Sequence, residues 1–168
     1  MKKIIATFGL ILCLALFGGQ IAHAAPPVGY IGFSLGSADD DVLSESDTGY
    51  KFFGGYTVNN NIGFEIAFVD LGQYLDGMLD QYGVAFEVVG YLPVSSNLDL
   101  MGKVGIFAWT VDVDTFYAYD DGTDLTYGLG LQYDLTNRLY VRGEWEQFSD
   151  VAGGDVSLLS AGLVYAFY

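Results

Sequence analysis

Apolar residues alternate with small or polar residues in short segments along most of the chain from Tyr30 onward. Alternation with a period of two is typical of β-strands whose two faces meet different surroundings. The clearest segment spans residues 125–134, where leucine and tyrosine alternate with threonine, glycine, glutamine and aspartate. The pattern predicts eight strands, at about residues 28–37, 48–58, 62–71, 81–92, 98–111, 125–134, 139–147 and 157–168.

Bulky apolar residues occupy one face of each predicted strand, and glycine, alanine, serine or charged residues occupy the other. In the third strand, Phe64 and Ile66 share one face, whereas Glu65 and Ala67 share the opposite face. A soluble sandwich or a lipocalin-like barrel also alternates, but it places bulky residues inside and polar residues outside. Small and polar residues fill the lumen of a narrow membrane barrel, so the bulky faces are expected to meet lipid. The sequence therefore predicts an all-β fold, an eight-stranded antiparallel transmembrane up-and-down β-barrel.

The first 24 residues form a predicted secretory signal peptide. Lys2 and Lys3 begin it, an apolar run follows at 4–17, and a small-x-small triplet predicts cleavage between Ala24 and Ala25. A retained membrane helix is the alternative, but a spanning helix needs about 20 apolar residues. The predicted domains are a cleaved signal peptide at 1–24 and an outer-membrane β-barrel at 25–168.

Cleavage leaves 144 of the 168 residues and removes Cys13, His23 and two of the six basic residues, so that the formal net charge changes from −15 to −17. Such a charge excludes nucleic acid as an expected partner, because nucleic acid is bound through its phosphates. Outer-membrane hydrolases and acyltransferases use a histidine to activate serine or water. We therefore predict no catalytic residue, no cofactor and no enzymatic activity, and a His-independent outer-membrane enzyme is the remaining alternative.

The predicted connections alternate in length. Short turns are expected at 59–61, 93–97 and 135–138, and longer acidic loops at 38–47, 72–80, 112–124 and 148–156. In outer-membrane barrels, short turns face the periplasm and long loops face outward. The acids at 39–41, at 120–121 and at 112 and 114 lack the complete spacing of a calcium-binding loop. We therefore predict a solvated acidic surface without a metal site, and divalent cations shared with lipopolysaccharide phosphates are a second hypothesis.

Charged residues at inward positions predict a lumen charge network. Isolated charges in a dry interior are unfavourable, so these side chains are expected to pair with one another or to keep water around them. An eight-stranded lumen is almost filled by side chains, which favours structural polar filling over an ion path. The predicted network consists of Glu65, Glu87, Lys103, Arg142, Glu144 and Glu146.

Aromatic residues near the predicted strand ends indicate interfacial girdles, because amphipathic rings favour the boundary between lipid and water. The predicted girdle comprises Tyr30, Tyr56, Tyr74, Tyr91, Trp109, Phe116, Tyr117, Tyr119, Trp145 and Tyr168. Tyr117 and Tyr119 lie in the third long loop, where a role in adhesion is a further hypothesis.

Three segments resemble the transmembrane domain of the outer-membrane protein A family and its porin-like small-barrel relatives. They are residues 53–65, 98–105 and 139–146, and the resemblance extends over nearly the whole chain after the signal peptide. It implies a barrel in the cell outer membrane with a role in envelope integrity, adhesion or interaction with a host or surface ligand through the acidic loops. The alternative that it implies is a narrow porin-like channel for ions or small solutes.

The resemblance also implies specific residue roles. The closing segment is similar to the signal read by the barrel-assembly machinery, with Gly162, Tyr165, Phe167 and Tyr168 as its residues. Partners expected on these grounds are that machinery, outer-membrane lipid and lipopolysaccharide. Family members use lumen ion pairs as a plug that occasionally rearranges into a narrow conductance. Glu65, Lys103 and Arg142 match such positions, whereas Glu87 stands about where a cation is expected and Gln132 where a carboxylate is expected. The family's periplasmic peptidoglycan-binding domain has no counterpart in this sequence, so no tether to the cell wall is expected.

Overall fold

The computed structural model describes residues 28–42, 45–74, 79–113 and 118–167. The predicted signal peptide at 1–24, its cleavage site between Ala24 and Ala25, and Tyr168 lie outside the described residues. Among the described residues, no helix is long and apolar enough to cross a membrane.

Eight antiparallel strands form a closed barrel in which each strand pairs with the next and the last pairs with the first. The predicted strand number, orientation and order are confirmed. The strands are β1 (Val28–Asp40), β2 (Glu45–Asn59), β3 (Ile62–Tyr74), β4 (Leu79–Pro93), β5 (Leu98–Val113), β6 (Ala118–Asp134), β7 (Leu139–Val151) and β8 (Gly154–Phe167).

The barrel has two different ends. We call the end that carries the β1–β2, β3–β4, β5–β6 and β7–β8 connections the outer end, and the end with the three short turns the inner end. Short turns form at 59–61, 93–97 and 135–138 as predicted. The four outer connections are shorter than the predicted loops, because the strands continue into segments that the acidic composition had placed in loops. Asp39 and Asp40 lie in β1, for example, and Asp120 and Asp121 lie in β6.

The outer wall of the barrel is apolar, as the alternation predicts. In β8, Leu159, Leu163 and Tyr165 point outward and are about half exposed to the surroundings, while Ser160 and Val164 point inward and are buried. Equivalent outward side chains on the other strands include Ile31, Leu35, Phe52, Phe64, Ile66, Phe86, Val104, Ile106, Leu125, Leu129 and Leu131. These apolar side chains face the lipid, in which every backbone polar group must be paired within the sheet.

The lumen differs from the expected small and polar filling in its outer half. Inward positions there carry large apolar side chains, which pack into a core that we call the outer plug. The rings of Phe107 and Phe148 lie 4.6 Å apart, and Gly83 faces the Phe107 ring without a side chain of its own. The fully buried members of the outer plug include Val69, Leu71, Phe107, Phe148 and Leu158. Most of the charged residues of the lumen lie on the inner side of this plug, and Asp40 with Gln81 is buried near the outer end.

Candidate functional site

Seven charged side chains meet inside the barrel on the inner side of the outer plug. We call this set the luminal network, and each member has at most 6% of its surface exposed. The six predicted residues all belong to it, and Lys51 is an additional member that the sequence analysis missed. The luminal network consists of Lys51, Glu65, Glu87, Lys103, Arg142, Glu144 and Glu146.

Lys103 on β5 contacts all four carboxylates. Its Nζ lies 2.5 Å from Glu65 Oε1 and 2.7 Å from Glu144 Oε1. The same atom lies 3.4 Å from Glu146 Oε1 and 3.5 Å from Glu87 Oε2. Since Coulomb interactions strengthen where water is excluded, a buried cation with four carboxylates around it is strongly held.

Arg142 on β7 joins the opposite side of the luminal network. Its Nη1 donates to Glu65 Oε2 at 2.7 Å, and its Nε and Nη2 donate to Gln132 Oε1 at 3.2 and 2.9 Å. Gln132 lies directly opposite Arg142 in the β6–β7 ladder, so the amide satisfies guanidinium donors without adding a charge. Glu65 completes its contacts through Tyr30, whose hydroxyl donates to Oε2 at 2.9 Å.

Lys51 reaches across the lumen from β2 to β7. Its Nζ lies 2.5 Å from Glu144 Oε2 and also contacts Glu146 Oε2. The signal that identifies it was available, because Phe52 faces outward and the neighbouring position must therefore face the lumen. The two faces of the second strand were not assigned from the sequence, so only two luminal cations, Lys103 and Arg142, were predicted.

Glu87 is the least satisfied member of the luminal network. Its ion pair with Lys103 is at 3.5 Å, and its Oε1 is buried without a hydrogen-bond partner. It also lies directly opposite Glu65 in the β3–β4 ladder. With three cations and four carboxylates, the luminal network carries one excess negative charge when all groups are ionised, and Glu87 is the group that the cations compensate least.

The ring of Phe53 lies among the three cations. Arg142 Cζ is 4.8 Å from the ring centroid, and the Nζ atoms of Lys51 and Lys103 are 5.2 and 5.7 Å from it. These distances are within the range of cation–π attraction. The aromatic ring therefore separates the cations from one another while it attracts each of them.

Three aromatic residues that were predicted to anchor the interface are instead buried in the lumen, so the prediction is wrong for Tyr30, Tyr91 and Trp109. The Tyr91 hydroxyl donates to that of Tyr30 at 3.2 Å, and Trp109 Nε1 donates to Asp124 Oδ2 at 2.9 Å. These side chains are buried because they face the lumen, although they lie close to strand ends. Tyr56 and Trp145 do point outward. Side-chain positions for Tyr74, Phe116, Tyr117, Tyr119 and Tyr168 lie outside the described residues.

The predicted assembly signal lies on β8, next to the β1 seam. Tyr165 and Phe167 point outward and are about half exposed, whereas Gly162 faces the lumen. A Cβ on Gly162 would lie 2.1 Å from the carbonyl oxygen of Phe33, which explains why a glycine stands there. Recognition of these residues by the assembly machinery stays a prediction.

Acidic side chains are concentrated at the outer end. Asp40 is buried there, where its carboxylate accepts from the Val42 amide at 2.9 Å and from Gln81 Nε2 at 3.1 Å. No group of three or more potential metal ligands is brought together within the described part of the chain. Among the described residues, the exposed carboxylates of the outer end are Asp39, Asp41, Glu45, Asp120, Asp121, Asp150 and Asp155. Outside the lumen, the basic side chain of the described residues is Arg138, in the turn at 135–138 of the inner end.

A cavity of about 210 Å³ opens at the inner end and reaches the luminal network. Its walls include Tyr30, Tyr91, Asp99, Gln132 and Arg142. Water from the inner side can therefore approach Arg142, while the outer plug fills the lumen above the network. The arrangement can hold charge in place, and among the described residues its outer half is filled mainly by apolar side chains.

Sequence comparisons identify similar proteins over the whole barrel. The profile of the family described as "Outer membrane protein beta-barrel domain" matches residues 8–167. Outer membrane protein A of Shigella flexneri is 27% identical over 199 aligned residues, which cover 99% of this chain and 56% of the relative. The protein of the same name from Klebsiella aerogenes is 26% identical, over 73% of this chain and 40% of its own length. The chain thus spans about half the length of the curated relatives it matches.

Solved structures share the fold at low sequence identity. Neisserial surface protein A has a TM-score of 0.67 at 15% identity, over 87% of this chain and all of that chain. Ail, the attachment invasion locus protein of Yersinia pestis, was solved in complex with the heparin analogue sucrose octasulfate. Its TM-score is 0.57 at 20% identity, over 84% of this chain and 97% of that chain.

Proposed function

Because the chain belongs to the outer-membrane protein β-barrel family and lies in the cell outer membrane, we propose that it is a closed barrel that presents an acidic outer end for structural and surface interactions. The alternative function is a narrow porin-like channel. The two functions differ in whether water and ions can cross the lumen.

The outer plug is the observation that carries this proposal. Val69, Leu71 and Phe148 are completely buried at inward positions. Asp40, a buried carboxylate in this half of the lumen, is held by a hydrogen bond from Gln81. An ion in contact with such a core loses its hydration without gaining a polar partner, which is strongly unfavourable. The inner cavity therefore ends at the luminal network, and ions that enter it have no favourable path to the outer end.

The charge of the outer end supports a role in surface interaction. Its exposed side chains include many carboxylates and, among the described residues, no lysine or arginine. Ail was solved with a sulfated, anionic ligand. We do not expect this chain to bind such a ligand in the same way, because its outer end would repel an anion. Lipopolysaccharide phosphates are expected partners only through shared divalent cations.

Conductance of the refolded barrel in planar lipid bilayers tests this proposal. We expect no unitary currents from the wild type, because the outer plug stays packed. A double variant, Phe107→Ala with Phe148→Ala, removes the central ring pair and is expected to conduct if it remains folded. Phe86→Ala, which alters an outward side chain, is the matched control and is expected to stay silent. Recurrent unitary currents from the wild type would overturn the proposal in favour of the channel.

A further inference from the structure

We propose that the outer half of β6 is a docking edge for an extended basic segment of a partner protein, which adds to the sheet as a further strand. We call residues 118–125 the free edge. This inference rests on the proposed function and names the class of partner for the same outer end. Strand addition of this kind uses main-chain hydrogen bonds for affinity and side chains for specificity.

The free edge arises because the ladder of β6 with β5 extends further toward the outer end than its ladder with β7. Its ladder with β5 continues to the pair Val113 and Ala118. Its ladder with β7 ends at the pair Thr126 and Phe148. Eight residues of β6 are therefore held on one side and lack a neighbouring strand on the other, over a length of about 27 Å.

The ladder between β6 and β7 is the shorter one because the β7–β8 hairpin turns back early. Asp150 and Ala152 have positive φ angles of 56° and 51°, and Gly153 has a φ of 86°. These left-handed residues turn the chain back immediately after Val151, which pairs with Gly154. The β5–β6 hairpin continues past this point. The last three residues of β7, 149–151, have no ladder partner on β6, so the free edge stays unpaired on this side.

The position of the free edge relative to lipid makes it accessible from outside. Outward side chains of β6 change from Leu129 and Leu125 to Thr123 and Asp121 at the height where the β7 ladder ends. Unpaired backbone is excluded from hydrocarbon, so the ladder must continue through the apolar band and is free to end above it. The free edge therefore lies beyond the membrane boundary at the outer end.

The free edge is also not covered by other described parts of the chain. β2 and β3 also stop pairing near the outer end, beyond the pair Tyr50 and Asp70. There, Asp47 Oδ2 accepts a hydrogen bond from the Gln73 amide at 2.6 Å and connects the two strands. Among the described residues, the hydrogen bond that involves the backbone of the free edge outside the β5 ladder is local, from the Asp121 amide to Asp120 Oδ1 at 3.0 Å. Exposed strand edges of this kind pair readily with another chain.

The inner side of the β5–β6 hairpin is stiffened, which prepares the free edge for binding. The Trp109 ring covers Gly122, since a Cβ at this position would lie 2.5 Å from the ring. Its Nε1 is fixed by Asp124 on the same strand as the free edge. A strand that is already held extended loses little conformational freedom when a partner pairs with it.

Charge decides which partner the free edge accepts. Asp120 and Asp121 are exposed on it, and Asp124 lies partly buried beside them. A second copy of this chain would place the same carboxylates opposite one another, and like charges directly opposite are destabilising in a ladder. Asp120 and Asp124 share one face of β6, and Asp121 lies on the other. A segment that carries lysine or arginine at alternate positions would instead form opposite-charge pairs with the carboxylates of one face. The occupant that fits is therefore a basic extended segment of another protein.

Binding of synthetic peptides to the refolded barrel in bilayer nanodiscs tests the docking edge. The probe is a fluorescent octapeptide of alternating lysine and valine, and its comparison peptide has the same side chains on N-methylated backbone amides. We expect the first peptide to bind and to slow amide hydrogen exchange at 118–125. We expect the N-methylated peptide to bind at least about tenfold more weakly, because it cannot form the ladder.

Charge variants separate the free edge from the general acidity of the outer end. The double variant Asp120→Asn with Asp121→Asn is expected to weaken binding about tenfold. The control, Asp39→Asn with Asp155→Asn, removes the same charge, and Asp39 lies between two paired strands. Equal binding of the N-methylated peptide, equal weakening by both double variants, or no binding of the lysine–valine peptide would each overturn the docking edge. Such a result leaves the closed barrel intact, whereas only wild-type conductance overturns that proposal.

Discussion

Phe53 on β2 lies directly opposite Gly32 on β1, and its ring occupies the space that a side chain at position 32 would need. A Cβ added to Gly32 would lie 2.2 Å from Phe53 Cζ. The same ring lies among the three cations of the luminal network. A glycine on the first strand therefore sets the position of the ring around which the buried charges are arranged.

The replacement Gly32→Ala is expected to destabilise the barrel by about 1–3 kcal/mol, because the added methyl group must displace the Phe53 ring. Gly54→Ala is the matched control on the neighbouring strand, where an added Cβ meets its nearest atom at 3.6 Å. We expect that control to change the free energy of unfolding by less than about 0.5 kcal/mol. Urea unfolding in lipid vesicles measures both, and equal effects of the two replacements would contradict the close packing.

Glu65 and Glu87 are expected to respond in opposite ways to neutralisation. Glu65→Gln removes the partner of both Lys103 and Arg142, and we expect it to destabilise the barrel by about 3–5 kcal/mol. Glu87→Gln removes the least compensated charge of the luminal network and is expected to be neutral or stabilising. Both variants replace a glutamate with a glutamine, so each serves as the control for the other when the free energy of unfolding is measured. A larger loss for Glu87→Gln would show that its charge is needed.

Lys51→Met is expected to be strongly destabilising, by about 3–5 kcal/mol, because it leaves Glu144 and Glu146 with less positive charge nearby. The second change Glu146→Gln removes one of the two stranded carboxylates. We expect the double variant to recover part of the lost stability, and a double-mutant cycle on the free energy of unfolding measures the coupling. Additive losses would indicate that Lys51 and Glu146 do not interact.

Asp124→Ala is expected to loosen the outer part of the β5–β6 hairpin, because it removes the hydrogen-bond acceptor of Trp109 Nε1. The measurement is the emission maximum of Trp109 in a Trp145→Phe background, since the chain contains two tryptophans. We expect a shift to longer wavelength as water reaches the ring. Asp121→Ala changes the same kind of side chain at an exposed position and is expected to leave the emission unchanged. An unshifted Asp124→Ala spectrum would contradict the anchoring role.

Most of the fold was predictable because a membrane barrel imposes one rule on every strand. Apolar side chains must face lipid, so the alternation in segments such as 125–134 identifies both the strand and its orientation. The residues at which the strands end near the outer end of the barrel were not predictable in this way. Above the membrane the outward positions become polar, as at Thr123 and Asp121, and composition alone no longer distinguishes a strand from a loop.

The luminal network was predictable to the extent that inward positions could be assigned. Glu65 and Arg142 were identified from their alternation with outward neighbours, and Lys51 was missed because the faces of its strand were not assigned. Tyr30 and Trp109 were misplaced because closeness to a strand end was given more weight than inward position. The pairing of Lys51 with β7 was beyond prediction, because it depends on which side chains meet across the closed lumen.

The ion pairs across the lumen also constrain how the barrel forms. Lys51 on β2 pairs with carboxylates on β7, and Arg142 on β7 pairs with Glu65 on β3. Neither β2 nor β3 is a neighbour of β7 in the barrel. An open sheet would carry these charges into the bilayer without their partners, which lipid strongly disfavours. The β1–β8 seam must therefore join as the charges neutralise one another. We therefore expect this barrel to fold and insert as one cooperative event, without stable half-inserted sheets.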